Sequence, residues 1–119
     1  MPGDFLIKRW NAQVVGHADV IILAATRPKA LAETFRRYTS AYDCTFKRFL
    51  QICRVTRNHD IPPHFGTPIT VDGEPAFFIG SAGGNSLYFA RPDSDRVSIT
   101  HELDAVLPWE TTEKEDATV

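Results

Sequence analysis

The sequence predicts an α+β fold: an N-terminal β-β-α-β unit followed by an antiparallel meander or small barrel. Two patterns point to it. In the first half, apolar residues alternate with period two, pass into a helical stripe and return to β-rich composition. In the second half, short β-rich runs recur between turn signals at about eight- to twelve-residue intervals. At 119 residues the chain has the length of one compact domain. It can bury roughly two-thirds of its unfolded surface without metal or disulfide staples.

Phe5 to Val14 reads as a strand, with Leu6, Lys8, Trp10, Ala12 and Val14 on one face and Phe5, Ile7, Arg9, Asn11 and Gln13 on the other. Gly16-His17-Ala18 connects it to Val20–Ala24, an unbroken apolar run that predicts a buried hairpin partner. Thr26 is placed to cap a helix and Pro28 to occupy its first turn. The helix runs from Lys29 to Tyr42 with the stripe Leu31, Phe35, Tyr38 and Tyr42. Cys44 to Thr56 admits two assignments. Phe46, Phe49, Leu50 and Cys53 have helical spacing, whereas Thr45, Ile52, Val55 and Thr56 favour a strand. A long strand is expected, because the hairpin needs a third strand to be stable. A β-bulge near Arg48-Phe49 would account for the slip in alternation there.

Residues 59–68 carry Asp60, Pro62, Pro63, Gly66 and Pro68 and form a connection. Strands then follow at Ile69–Val71, Ala76–Ile79, Ser86–Ala90 and Val97–His101, with a short last one within Leu103–Leu107. Asp72-Gly73, Gly80–Asn85 and Arg91–Arg96 are the turns. The expected organisation is a basic subdomain over 1–58, the connection 59–68, an acidic β-rich subdomain over 69–109 and a disordered acidic tail over 110–119.

Charge is sorted by position. Met1 to Asp60 holds ten Lys or Arg against five Asp or Glu, and Ile61 to Val119 holds three against ten. A net of +5 is thus followed by a net of −7. Such asymmetry implies a charged partner for one half, or a contact between halves. No apolar run reaches the ~20 residues of a membrane span, and the N-terminus has no signal-peptide pattern. With Cys44 and Cys53 as the two cysteines, buried thiols and a cytoplasmic location are expected.

Motifs for chemistry are weak. The glycines of Gly80–Asn85 lack the lysine and following helix of a phosphate cradle and fit a hairpin turn instead. His59, His64 and His101 offer ligands for a metal-dependent hydrolase, but His59 and His64 flank a Pro-Pro pair that does not hold them on one face, and His101 and Glu102, as strand neighbours, point to opposite sides. Neither cysteine, nor Ser81, Ser86 or Ser94, sits in a nucleophile motif. No enzyme activity, cofactor or metal is expected. The basic half is richer: Lys8-Arg9-Trp10 and Phe46-Lys47-Arg48-Phe49 interleave cations with aromatics, Arg54 and Arg57 extend the second stretch, and Arg36 and Arg37 add a helical patch. Adjacent strands would align Lys47, Arg54 and Arg57 with Lys8 or Arg9. On the acidic side, Asp93 and Asp95 are the candidate contacts.

The strand-strand-helix-strand order carried by Phe5-Leu6-Ile7-Lys8, Val20–Ala25, Ala30–Tyr38 and Phe46–Val55 resembles the layout of some small phage-encoded anti-CRISPR proteins. The second half, opened by Gly66-Thr67-Pro68-Ile69-Thr70-Val71-Asp72-Gly73, is similar to SH3-like small barrels. The first resemblance implies a non-enzymatic inhibitor that occupies a charged surface of a host nucleic-acid-guided complex. The expected function is therefore binding to a protein complex, one that processes nucleic acid. The alternative is direct nucleic-acid binding through the basic half.

Overall fold

The computed structural model describes residues 3–110. The fold is α+β, with two antiparallel sheets, and its backbone contacts cluster into two compact units. One is Ile7–Ile61; the other, among the described residues, joins Pro62–Glu110 to the N-terminal arm Gly3–Leu6. The boundary between units is also the boundary in charge. Ile7–Ile61 holds ten basic and four acidic side chains, a net of +6, and the remainder holds three against eleven, a net of −8.

The basic unit contains β1 (Lys8–Val14), β2 (Val20–Ala24), α1 (Arg27–Thr39), α2 (Phe46–Ile52) and β3 (Cys53–Arg57). Its sheet has the order β2-β1-β3. Trp10 lies opposite Ile22 and Arg57, and Ala12 opposite Val20 and Val55. Trp10, Ala12, Ile22, Ala24 and Val55 form a buried cluster with Ala30 of α1, and Leu31 packs against it. The Trp10 indole N–H donates to the Ala24 carbonyl at 3.0 Å, which satisfies the one polar atom that ring brings into the core. Thr26 caps α1 by accepting from the Lys29 N–H at 3.3 Å. Buried Thr34 returns its hydroxyl to the Ala30 carbonyl at 2.8 Å.

The stretch expected as one long strand is a helix followed by a strand. Thr45 accepts the Arg48 N–H at 3.2 Å and starts α2, and the chain becomes extended only at Cys53. The slip in alternation at Arg48-Phe49 is this helix rather than a bulge. Phe49 decides the outcome: a helical turn places it fully buried, 5.2 Å from the Phe35 ring and 5.4 Å from Tyr38. Burying a phenylalanine is worth about 1.5–3 kcal/mol, more than any propensity difference among these residues. The β-branched pair Val55-Thr56 remains for β3, and the hairpin still gains its third strand.

The acidic unit contains β4 (Pro68–Val71), β5 (Glu74–Gly83), β6 (Ser86–Ala90), β7 (Val97–His101), a short 3-10 turn (Glu102–Asp104) and β8 (Ala105–Val106). The sheet order is β7-β6-β5-β4-β8. Two-residue turns close the first two hairpins, Asp72-Gly73 and Gly84-Asn85, and all four residues have positive φ. Such turns match the twist of paired strands and select Gly, Asn and Asp. The expected glycine-rich loop is shorter than predicted, because β5 continues to Gly83 through two register shifts. Ile69, Val71, Ala76, Leu87, Phe89 and Leu107 form the core, with Phe78, Ala105 and Trp109 against it.

The N-terminal arm belongs to this unit. Phe5 meets Phe65 at 5.1 Å and Phe77 at 5.3 Å. A Cβ at Gly66 would stand 2.9 Å from the Phe5 ring, so Gly66 leaves the room that ring occupies. Of the tail expected to be disordered, Glu110 is described, in a helical turn with its N–H donating to the Leu107 carbonyl at 3.0 Å, and residues 111–119 lie outside the described residues. Among the described residues, no helix is long and apolar enough to cross a membrane.

The helix at Phe46–Ile52 predicts opposite fates for neighbouring side chains. Phe49→Ala is expected to cost about 3–5 kcal/mol in urea unfolding, while exposed Leu50→Ala stays within about 0.5 kcal/mol. Equal losses at the two positions would contradict this orientation of α2.

Candidate binding surface of the basic unit

Helices α1 and α2 meet through aromatic rings. Phe46 contacts Phe35 at 5.0 Å, Phe35 contacts Phe49, and Phe49 leads to Tyr38. Tyr42 stacks on Tyr38 at 4.9 Å, and His17 closes on Tyr42 at 5.1 Å. The middle of this belt is buried at Phe49, but its ends emerge: Tyr42 is 49% exposed and Phe46 45%. Leu50, one helical turn from Phe46, is 48% exposed. Lys47 and Arg48 stand beside them on α2, both exposed. Apolar side chains half in water, rimmed by cations, have the composition of a protein-binding surface.

The other predicted basic residues are spread over the unit. Arg36 and Arg37, in the last turn of α1, converge on Glu33, at 2.6 and 2.9 Å. Lys8 and Arg57 lie on the helix-covered face of the sheet, where the Arg57 guanidinium sits 5.6 Å from the Trp10 ring centroid. Arg9 and Arg54 lie on the opposite face. Arg9 donates to the Asp60 carbonyl, and Arg54 stands opposite Gln13. The expected row of Lys47, Arg54 and Arg57 along one strand is not formed. Lys47 is on a helix, and residues 54 and 57 alternate to opposite faces. Arg48 reaches Gln51 at 3.0 Å. Lys8, Lys47 and Arg54 have no side-chain partner among the described residues.

In the acidic unit, Asp93 has a structural task. It sits at φ 59°, and its carboxylate accepts the Asp4 N–H at 2.9 Å while its own N–H donates to the Asp4 carbonyl at 2.8 Å. Asp95 is exposed in the same turn. Arg91 is taken up internally, donating to the carbonyls of Val71, Glu74 and Pro75 at 3.1–3.2 Å.

Two of the three candidate metal-binding histidines have other partners. His64 stacks on Trp109 with centroids 3.9 Å apart. His101 accepts the Leu103 N–H at 3.1 Å and caps the 3-10 turn. His59 is exposed in the basic unit. Among the described residues, no group of three or more His, Cys, Asp or Glu is placed to hold a metal ion. The cysteines are free and half-buried. Burial pushes the Cys53 thiol up, partly offset by the Arg27 cation, which is the reverse of what a thiolate nucleophile requires. Cys53 borders a shallow groove of about 320 Å³ with Gln13, Asp19, Gln51 and Arg54. There the Gln13 amide donates to the Asp19 carboxylate at 3.1 Å.

Comparison with protein-family models, with curated proteins and with solved structures finds no match to this chain.

The Glu33 contacts have a measurable pH signature. Hydrogen bonding from Arg36 chiefly, with Arg37 adding to it against the cost of partial burial, lowers the Glu33 carboxyl to about 2. A lowered carboxylate contributes stability that is complete above the ordinary value near 4.5 and is lost as pH falls through about 2. Wild type is therefore expected to exceed Glu33→Gln in thermal stability at neutral pH, with the gap closing toward pH 2. Solvent screening keeps that gap small. Melting curves that stay equally separated down to that pH would show that Glu33 is not held by these arginines.

Proposed function

We propose that this chain is a binding protein with no reaction of its own, whose helical layer docks on an acidic, partly apolar surface of a protein partner. The observation that carries this is the pair of exposed belt ends, Tyr42 and Phe46, with Leu50 beside Lys47 and Arg48. Aromatic side chains that leave water on docking supply affinity, and rim cations supply orientation and encounter rate.

Direct binding to nucleic acid is the weaker alternative. A phosphate backbone is tracked by a row of free cations. Here Arg9, Arg36, Arg37, Arg48 and Arg57 are already engaged inside the unit, and the remainder of the chain carries −8. The charge separation supports a finer form of the proposal. The partner is a nucleic-acid-processing complex of the cytoplasm, of the defence type that the anti-CRISPR resemblance implies. The basic unit is drawn to its acidic rim, and the acidic unit presents carboxylates where nucleic acid would bring phosphates. Because α2 interrupts the β-β-α-β layout, the support is surface chemistry rather than layout.

A pull-down from the native host with nuclease treatment tests this. A protein partner is expected to survive the nuclease and to be lost with Phe46→Glu plus Lys47→Glu, changes at exposed positions that leave circular dichroism intact. Capture that disappears on nuclease treatment and weakens steeply with salt would establish direct nucleic-acid binding instead. Capture indifferent to the double substitution would remove the helical layer as the interface.

A further inference from the structure

Among the described residues, strand β7 ends the five-stranded sheet and pairs only with β6. Native edge strands are usually blunted by charge, proline or a bulge within the strand. β7 has none of these: its residues are Val97-Ser98-Ile99-Thr100-His101, and its pairing with β6 runs without a register shift. Ile99 is 59% exposed, and its cross-strand neighbour Tyr88 is 40% exposed on the same face. An apolar pair therefore borders a row of backbone groups that end the ladder.

The residues flanking the strand are self-complementary. If two copies of β7 run antiparallel with Ile99 on the two-fold axis, Ile99 faces Ile99, Val97 faces His101 and Ser98 faces Thr100. One step further out, Arg96 faces Glu102, and two-fold symmetry makes that ion pair twice. Any other axis along the strand removes both pairs. Arg96 and Glu102 are exposed and close the two ends of the strand. One face of the joint then carries the apolar run Tyr88–Ile99–Ile99–Tyr88, and the other carries two Ser–Thr pairs, both favourable cross-strand combinations.

We propose that a second copy of this chain adds along β7, joining two five-stranded sheets into one through an antiparallel pairing centred on Ile99. The surface lies in the acidic unit and is independent of the α1–α2 layer. With five residues on each side, the dimer is weak and concentration-dependent.

The charges allow a decisive test by sedimentation over a wide concentration range. Wild type is expected to show a monomer–dimer equilibrium. Arg96→Glu alone sets Glu against Glu102 twice, and Glu102→Arg alone sets Arg96 against Arg twice. Each is expected to weaken self-association about tenfold, the effect of two cross-strand pairs changing sign. Mixing the two variants restores opposite charges at both ends and is expected to return dimer, now heterodimeric. Ile99→Lys, at an exposed position, is expected to give monomer while leaving the melting temperature of the chain in place. A wild type that stays monomeric at every concentration overturns the proposal. So does a dimer that Ile99→Lys leaves intact, or a mixture of charge variants that associates no better than either alone.

Discussion

The burial of Phe49 between α1 and α2 is the constraint on which the basic unit's surface depends. Its ring lies 5.2 Å from Phe35 and 5.4 Å from Tyr38. With Phe49 inward, Phe46 and Leu50 flank it along the edge of the α1–α2 contact and stay half-exposed, with Lys47 and Arg48 beside them on the helix. An interior requirement thereby writes an exterior composition. The strand that follows begins where the helix has finished its work, at Cys53, close enough to β1 for Cys53 to stand opposite Val14.

Most of the elements were legible because each carries its own local signal. Thr26 and Pro28 mark the start of α1, the Asp-Gly and Gly-Asn turns mark hairpins, and the β-rich runs between them are too short for helices. Cys44–Thr56 is harder to read because it holds two elements, and no single period runs across both. The signal present was the i, i+4 spacing of Phe46 and Leu50, with Thr45 ahead of them as a cap. The attachment of Phe5 to Phe65 and Phe77 had no such marker, since a strand-like alternation beginning at Phe5 looks the same whether the ring joins the near sheet or a distant one.

The candidate residues divide along a similar line. Charge is read directly from sequence, and the division between positive and negative segments falls within a few residues of the structural boundary at Ile61. What charge is used for is not read so directly. Arg57 covers a tryptophan, Arg91 ties three carbonyls, Asp93 holds the arm, and two arginines share one glutamate. These assignments depend on partners distant in the chain or on the turn of a helix. A count of cations overstates those available to a partner, whereas the half-exposed aromatics that distinguish the surface look in sequence like ordinary core.

The arm that carries Phe5 makes the acidic unit discontinuous, since Asp4 and Asp93 clasp each other across 89 positions. The basic unit is in effect an insertion between two pieces of its neighbour, and every contact it needs lies within one uninterrupted stretch. During synthesis that stretch has all its partners as soon as it leaves the ribosome, whereas the piece emitted first must wait for the turn at Asp93 to follow. Closing so long a loop costs entropy before any contact rewards it. The connectivity therefore favours an order: the uninterrupted stretch Ile7–Ile61 can close on itself before the arm at Asp4 and Phe5 meets its distant partners.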